Sequence, residues 1–138
     1  MSAFTDISGA LDTRMSGYST ANSIDVAWEN SNFIPTSGES FIRATYLPAN
    51  TEPTGYDLAS DWHTGIYQLD IFTPLNAGKG EANTHADALG AYFKRGTLLS
   101  YGDIVVRITS VSISQGSKDG PYFAKKVFIG CSAFSSAE

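Results

Sequence analysis

The chain has 138 residues, 42% of them hydrophobic and 12% aromatic, which is enough to bury a core without metals or disulfides, so a single domain over residues 1–138 is expected. Nine Lys and Arg against fourteen Asp and Glu leave a net charge of −5, which opposes any binding that works mainly by neutralising phosphates. Cys131 is the single cysteine, which excludes an intrachain disulfide; the first residues lack a secretion signal and no stretch is long and apolar enough for a bilayer, so a cytosolic, membrane-free protein is expected.

Phe4, Ile7, Leu11 and Met15, spaced three, four and four, form the apolar stripe of a first helix, with Gly17 as its expected stop. Ile24, Val26 and Trp28 then alternate with Asp25, Ala27 and Glu29, the period of a half-buried strand. Residues 30–38 read as loop, broken by Pro35 and closed by Gly38. Over 41–47, Ile42, Ala44 and Tyr46 share one face and Phe41, Arg43, Thr45 and Leu47 the other, and Pro48 is expected to end the strand. Residues 49–64 read as one long polar loop that nonetheless carries Tyr56, Leu58 and Trp62. A structureless segment of that length is unusual in a compact domain, so these side chains fold back or meet a partner.

The 65–72 segment places Tyr67, Leu69 and Ile71 opposite Ile66, Gln68, Asp70 and Phe72, and Pro74 terminates it. Helical spacing returns over 80–95, where Ala82, Ala86, Leu89 and Phe93 form a stripe, Glu81 sits early, Lys94 and Arg95 sit late, and Gly96 follows. Two further strands, 103–113 and 122–131, flank a polar loop over 114–121 with Lys118 and Asp119 in it. Residues 135–138 are expected to fray. Strands that neighbour one another in sequence, with only two helices, favour an α+β fold: a mixed, mostly antiparallel sheet with two helices packed against it.

Few residues suggest chemistry. Lys79 between Gly78 and Gly80 invites a phosphate-loop reading, but Thr73 stands where the first glycine is required and Gly80 where a Ser or Thr is required. His63 and His85 each have an aspartate two positions away, a spacing that on a helix separates the two side chains and so argues against a shared metal ion. Asp25 and Glu29 read as the wet side of a strand. No Gly-x-Ser-x-Gly elbow is present, and no cofactor is implied.

The ordered motifs Trp28-Glu29-Asn30, Phe33-Ile34-Pro35 with Gly38, the run from Gly65 to Pro74, and Gly78-Lys79-Gly80-Glu81-Ala82 opening a helix that ends at Phe93 together resemble the tail terminator-like family of long-tailed bacteriophages. The likeness spans residues 5–131. It implies an α+β fold and a homo-oligomeric, six-membered ring on the head-proximal end of the tail tube. Such a ring stops tube polymerisation, joins a head-completion or connector protein, lets DNA pass without specific binding, and resides in the virion after assembly in the host cytoplasm. Tyr56, Leu58, Trp62, Lys118 and Asp119 are the expected contacts with other subunits or partners. The alternatives are another neck component, a tail tube subunit or, in a different class, a small enzyme using His63 or His85.

Overall fold

A computed structural model describes residues 3–28, 34, 39–54, 60–74, 80–101, 104–119 and 122–136. The elements in order are α1 (Ala3–Asn22), β1 (Asp25–Ala27), β2 (Phe41–Thr54), β3 (Ser60–Pro74), α2 (Gly80–Tyr92), β4 (Leu98–Tyr101), β5 (Ile104–Ile113), β6 (Ser117–Asp119) and β7 (Tyr122–Ser136). The strands form one sheet in the order β1-β2-β3-β7-β5-β4, with β6 paired to β7. Only β1 and β2 run parallel, so the sheet is mixed and mostly antiparallel, and the fold is α+β as expected.

Both helices lie on the same face. Ile7, Leu11, Met15 and Tyr18 of α1 and Ala86 and Leu89 of α2, with Phe93 just beyond it, join Ile42, Tyr67, Leu69, Ile71, Val106, Ile108, Val127 and Ile129 in one buried core. The stripe of α1 is thus the expected one, although the Phe4 side chain lies outside the described residues. Three polar links fasten the layers: Tyr67 donates to Asp12 Oδ1 at 2.6 Å, Tyr18 pairs with His85 Nδ1 at 2.8 Å, and Arg14 donates to the Tyr92 carbonyl at 2.7 Å.

Several boundaries depart from the sequence reading, each for a physical reason. Gly17 does not stop α1; it lies inside the helix, where an added Cβ would sit 2.5 Å from the Tyr92 hydroxyl, so it serves the close approach of α2. The helix ends instead at Ser23, in the left-handed conformation with φ 52°, while the Ile24 amide donates back to the Ser19 carbonyl in a Schellman-type finish. At the end of α2, Gly96 does supply the positive φ, 93°. The balancing cation, however, is Arg14, which reaches the last carbonyl of α2 from α1, and not Lys94 or Arg95, which are exposed past the helix end.

Pro48 does not end β2 either. The strand continues to Thr54 through a bulge between Pro48 and Asn50; among the described residues β1 pairs only with residues 41–43 and no strand meets β2 on that side at Pro48, where a missing amide is tolerated. The expected 49–64 loop is therefore largely a hairpin arm, with residues 50–54 paired to 60–64, and β7 accompanies β3 along it as far as Ser136. That pairing also holds Ser135 and Ser136, which were expected to fray. Within the 114–121 segment, β6 folds onto Tyr122–Ala124. The sequence reading missed β4 altogether.

Candidate assembly surface

The period of two that buries Ile42, Ala44 and Tyr46 under the helices turns Arg43, Thr45 and Leu47 to the opposite face of β2. Register carries the same alternation across the sheet. Leu47 stands beside Ile66, Thr45 beside Gln68, and Arg43 beside Asp70; on β7 these rungs meet Gly130, Phe128 and Lys126. No helix among the described residues covers this open face.

One end of the open face is closed by aromatic packing. Phe41 and Phe72 stack with ring centroids 4.7 Å apart, and Tyr122 meets the Phe41 ring edge-on at 5.2 Å. Next to them Arg43 donates to Asp70 Oδ2 at 2.8 Å, and its guanidinium lies 5.1 Å from the centre of the Phe72 ring. The Asp70 carboxylate is buried and takes a further hydrogen bond from Gln68 Nε2 at 2.9 Å, so its charge is satisfied within the face.

The other end is open and apolar. A shallow cleft of about 420 Å³ is lined by Trp62, Leu98, Val105, Arg107, Ser132 and Ala133 at the base of the hairpin arm. Leu98 is 57% exposed and Val105 48%, while nearer the β2 edge Leu47 is 42% and Ile66 38% exposed. Leu98 and Val105 border the cleft while Leu47 and Ile66 lie toward the opposite edge of the sheet, so the exposed apolar side chains fall in two places. Trp62 is the expected contact residue that the structure places at the cleft. Lys118 is exposed on β6, away from the cleft; Asp119 is in β6, with its side chain outside the described residues, as are Tyr56 and Leu58 entirely. Leu98 escaped the sequence reading because β4 has only four residues, the signal available being the alternation of Leu98 and Ser100 with Leu99 and Tyr101 after Gly96; Val105 and Arg107 lie in β5, within the expected 103–113 strand, but were not singled out as contact residues.

A second, polar cleft of about 380 Å³ lies where the end of α1 meets β1 and α2, lined by Asp25, Glu39, Ser40, Glu81 and His85 among others. It brings His85 near carboxylates but assembles no nucleophile. His85 Nδ1 is engaged by Tyr18, its Nε2 stands 3.9 Å from Glu81 Oε2, and Ser40 donates to that same glutamate at 2.5 Å instead of to an imidazole base. Burial pushes the His85 pKa down, with the Glu81 charge opposing in part, and pushes the Tyr18 hydroxyl up.

His63 lies elsewhere, on β3 beside Thr51 and Ala133, so the two histidines do not share a site. Glu29, the suggested partner of Asp25, and Lys79 lie outside the described residues. Among the described residues no three His, Cys, Asp or Glu side chains converge on a point where a metal ion would sit. The Cys131 thiol is buried and pushed up to about 11 by desolvation, which makes it a packing group. Lys125 donates to Asn83 on α2 at 2.6 Å while Lys126, one residue on, turns to the open face, so these lysines do not form a basic cluster.

Among the described residues one face of the sheet is clad by helices and the other is open, with apolar side chains exposed on it, and comparison with known proteins supplies the context. The family model described as phage tail terminator protein matches residues 6–130. The chain belongs to the phage tail terminator family. It is accordingly a structural protein of a phage tail. No curated protein sequence matches it. A solved structure superposes on it with a TM-score of 0.80 over 100% of both chains at 24% identity, a likeness of fold.

Proposed function

We propose that copies of this chain close into a ring, six-membered as the resemblance implies, which caps the head-proximal end of the tail tube, halts its polymerisation and presents the surface that the head joins. The family match over nearly the whole chain carries this reading. The exposed apolar side chains around the Trp62 cleft are what such a role leads one to expect. The partners are further copies of the chain, the tail tube protein and a head-completion or connector protein. Trp62 with its cleft, the arm that carries Tyr56 and Leu58, and the β6 turn with Lys118 and Asp119 are the proposed contact regions. Assembly takes place in the host cytoplasm, DNA passes through the ring, and no catalysis or cofactor takes part.

Infection by phage lacking the gene tests this. The expected result is tails of uncontrolled length that do not join heads. Absence of all tube would assign the chain to the tube itself; tails of normal length that fail only to join heads would assign it to another neck position.

A further inference from the structure

Resting on the ring reading, we propose that Ile34 of one copy inserts into the Trp62 cleft of the next, packing on Leu98 and Val105 beside Arg107, so that the ring closes by repeating one contact.

Ile34 is an apolar side chain that the fold does not use. It lies on the connection between β1 and β2 and is 80% exposed, more than any other large apolar residue among those described, so it does not occupy the cleft of its own chain. Single exposed apolar residues are common, and exposure alone assigns no role. Two further properties set this one apart. Pro35 follows it, and a proline ring holds the residue before it in extended backbone, which leaves less freedom to lose when the side chain is seated. From Trp28 to Ser40 the sequence also has two acids, Glu29 and Glu39, and no lysine or arginine.

The cleft supplies the complement. Its volume of about 420 Å³ is ample for a branched aliphatic side chain, and Leu98 and Val105 on its rim are 57% and 48% exposed. Seating Ile34 there removes apolar surface from water on both partners. Arg107 is the charged residue in the lining, and among the described residues no carboxylate lines the cleft or pairs with it. An acidic connection thus meets a cleft of opposite charge, whereas docking two clefts on each other would set Arg107 against its own copy. Ile34 follows β1, the strand at one edge of the sheet, while Leu98 lies on β4 at the other. The contact is therefore head-to-tail, the kind that closes into a ring when the rotation between copies permits.

The test uses the full-length chain carried into assembled tails. Ile34→Cys is combined with Leu98→Cys or with Val105→Cys, and purified tails are mildly oxidised. The expected result is a ladder of disulfide-linked multimers from at least one double variant, and nothing beyond linked pairs from the single variants. Amide exchange on the unaltered chain gives a check free of substitutions: the segments that hold Ile34 and Leu98 should both slow by about tenfold or more in the assembly relative to the monomer. Double variants that only close a link within each copy would seat Ile34 in its own cleft and overturn the proposal. Tails that hold several copies, give no ladder, and leave either segment exchanging as in the monomer would overturn this contact while the ring reading stands. Tails that hold a single copy would end the ring reading and this proposal with it.

Discussion

The two faces of the sheet use apolar residues in opposite ways. Beneath the helices Ile42, Tyr67, Leu69, Ile71, Val106 and Ile129 are fully enclosed and interlock with Leu11, Met15, Leu89 and Phe93. Across the same strands Leu47, Ile66, Leu98 and Val105 stand in water among serine, threonine and glutamine. The covered face accounts for why the chain folds. On the open face the buried cluster of Ala27, Phe41, Phe72 and Ala124 also supports the fold, whereas the exposed apolar side chains contribute little to it and make physical sense in contact with another surface.

The comparison predicts its largest effect on the covered face. Phe93→Ala or Leu89→Ala should cost about 3–5 kcal/mol of stability, as large-to-small changes in an enclosed core do, and should move the urea midpoint accordingly. Leu98→Ser and Val105→Ser should change stability by about 0.5 kcal/mol or less, as exposed positions do, yet lower incorporation into tails. Equal losses on the two faces in urea melts would break the contrast.

Arg43 marks the place where the bare face does support the fold. Arg43→Ala removes the cation from a buried Asp70 and leaves that carboxylate only the Gln68 amide, at a cost of about 1–3 kcal/mol. A double-mutant cycle with Asp70→Asn measures the coupling. A cycle that closes with no coupling would return Arg43 to the class of Leu98 and Val105.

Much of the covered face was legible in the sequence. The stripes Ile7-Leu11-Met15 and Ala82-Ala86-Leu89-Phe93 and the alternation around Tyr67, Leu69 and Ile71 record burial directly, because each residue meets the core through its own helix or strand period. What stayed hidden depends on neighbours distant in sequence. Gly17 reads as a stop until Tyr92 is seen crossing it, and Pro48 ends a strand only if a neighbouring strand needs its amide, and no described strand meets it there. The polar run 49–64 contains no local cue that residues 50–54 will pair with 60–64. Of the residues that line the open apolar cleft, the sequence reading singled out Trp62 alone, since exposed residues carry no burial pattern and the four-residue alternation of β4 is a short one.

A smaller effect links the two helices through a titrating group. His85 accepts from or donates to Tyr18 through Nδ1, and burial lowers its pKa below the ordinary 6.5. The folded state therefore resists protonation more than the unfolded state does. The stability this provides is full above pH 6.5 and declines as pH falls through that value toward the folded pKa. His85→Gln should flatten this part of the stability curve, and Tyr18→Phe should cost about 1 kcal/mol at neutral pH, the worth of one hydrogen bond. If wild type and His85→Gln lose stability in parallel between pH 7 and 5, carboxylates alone govern the acid limb.

The smallest expected effect concerns DNA, where the prediction for the unaltered chain is no measurable binding. Affinity for duplex DNA rises with each phosphate neutralised and falls steeply with salt, so in the proposed ring a channel lined by free cations would hold DNA and oppose its passage. The chain carries a net −5, and on the open face Arg43 is engaged by Asp70, with Lys126 in register next to the same aspartate. Among the described residues Arg107 is the remaining cation there, set beside the apolar cleft. Retention of duplex DNA on a filter at physiological salt should therefore be negligible for the wild type and for Arg107→Ala alike. Ser110 and Ser112 are exposed, and register places them on the open face opposite Gly130 and Phe128, so Ser110→Lys with Ser112→Lys adds two cations per copy with little cost to the fold. If the open face lines the channel, assembled tails with these lysines should retain DNA in a salt-dependent way and eject it more slowly. Normal ejection from such tails would place the open face away from the DNA path, leaving it wholly to contacts between proteins.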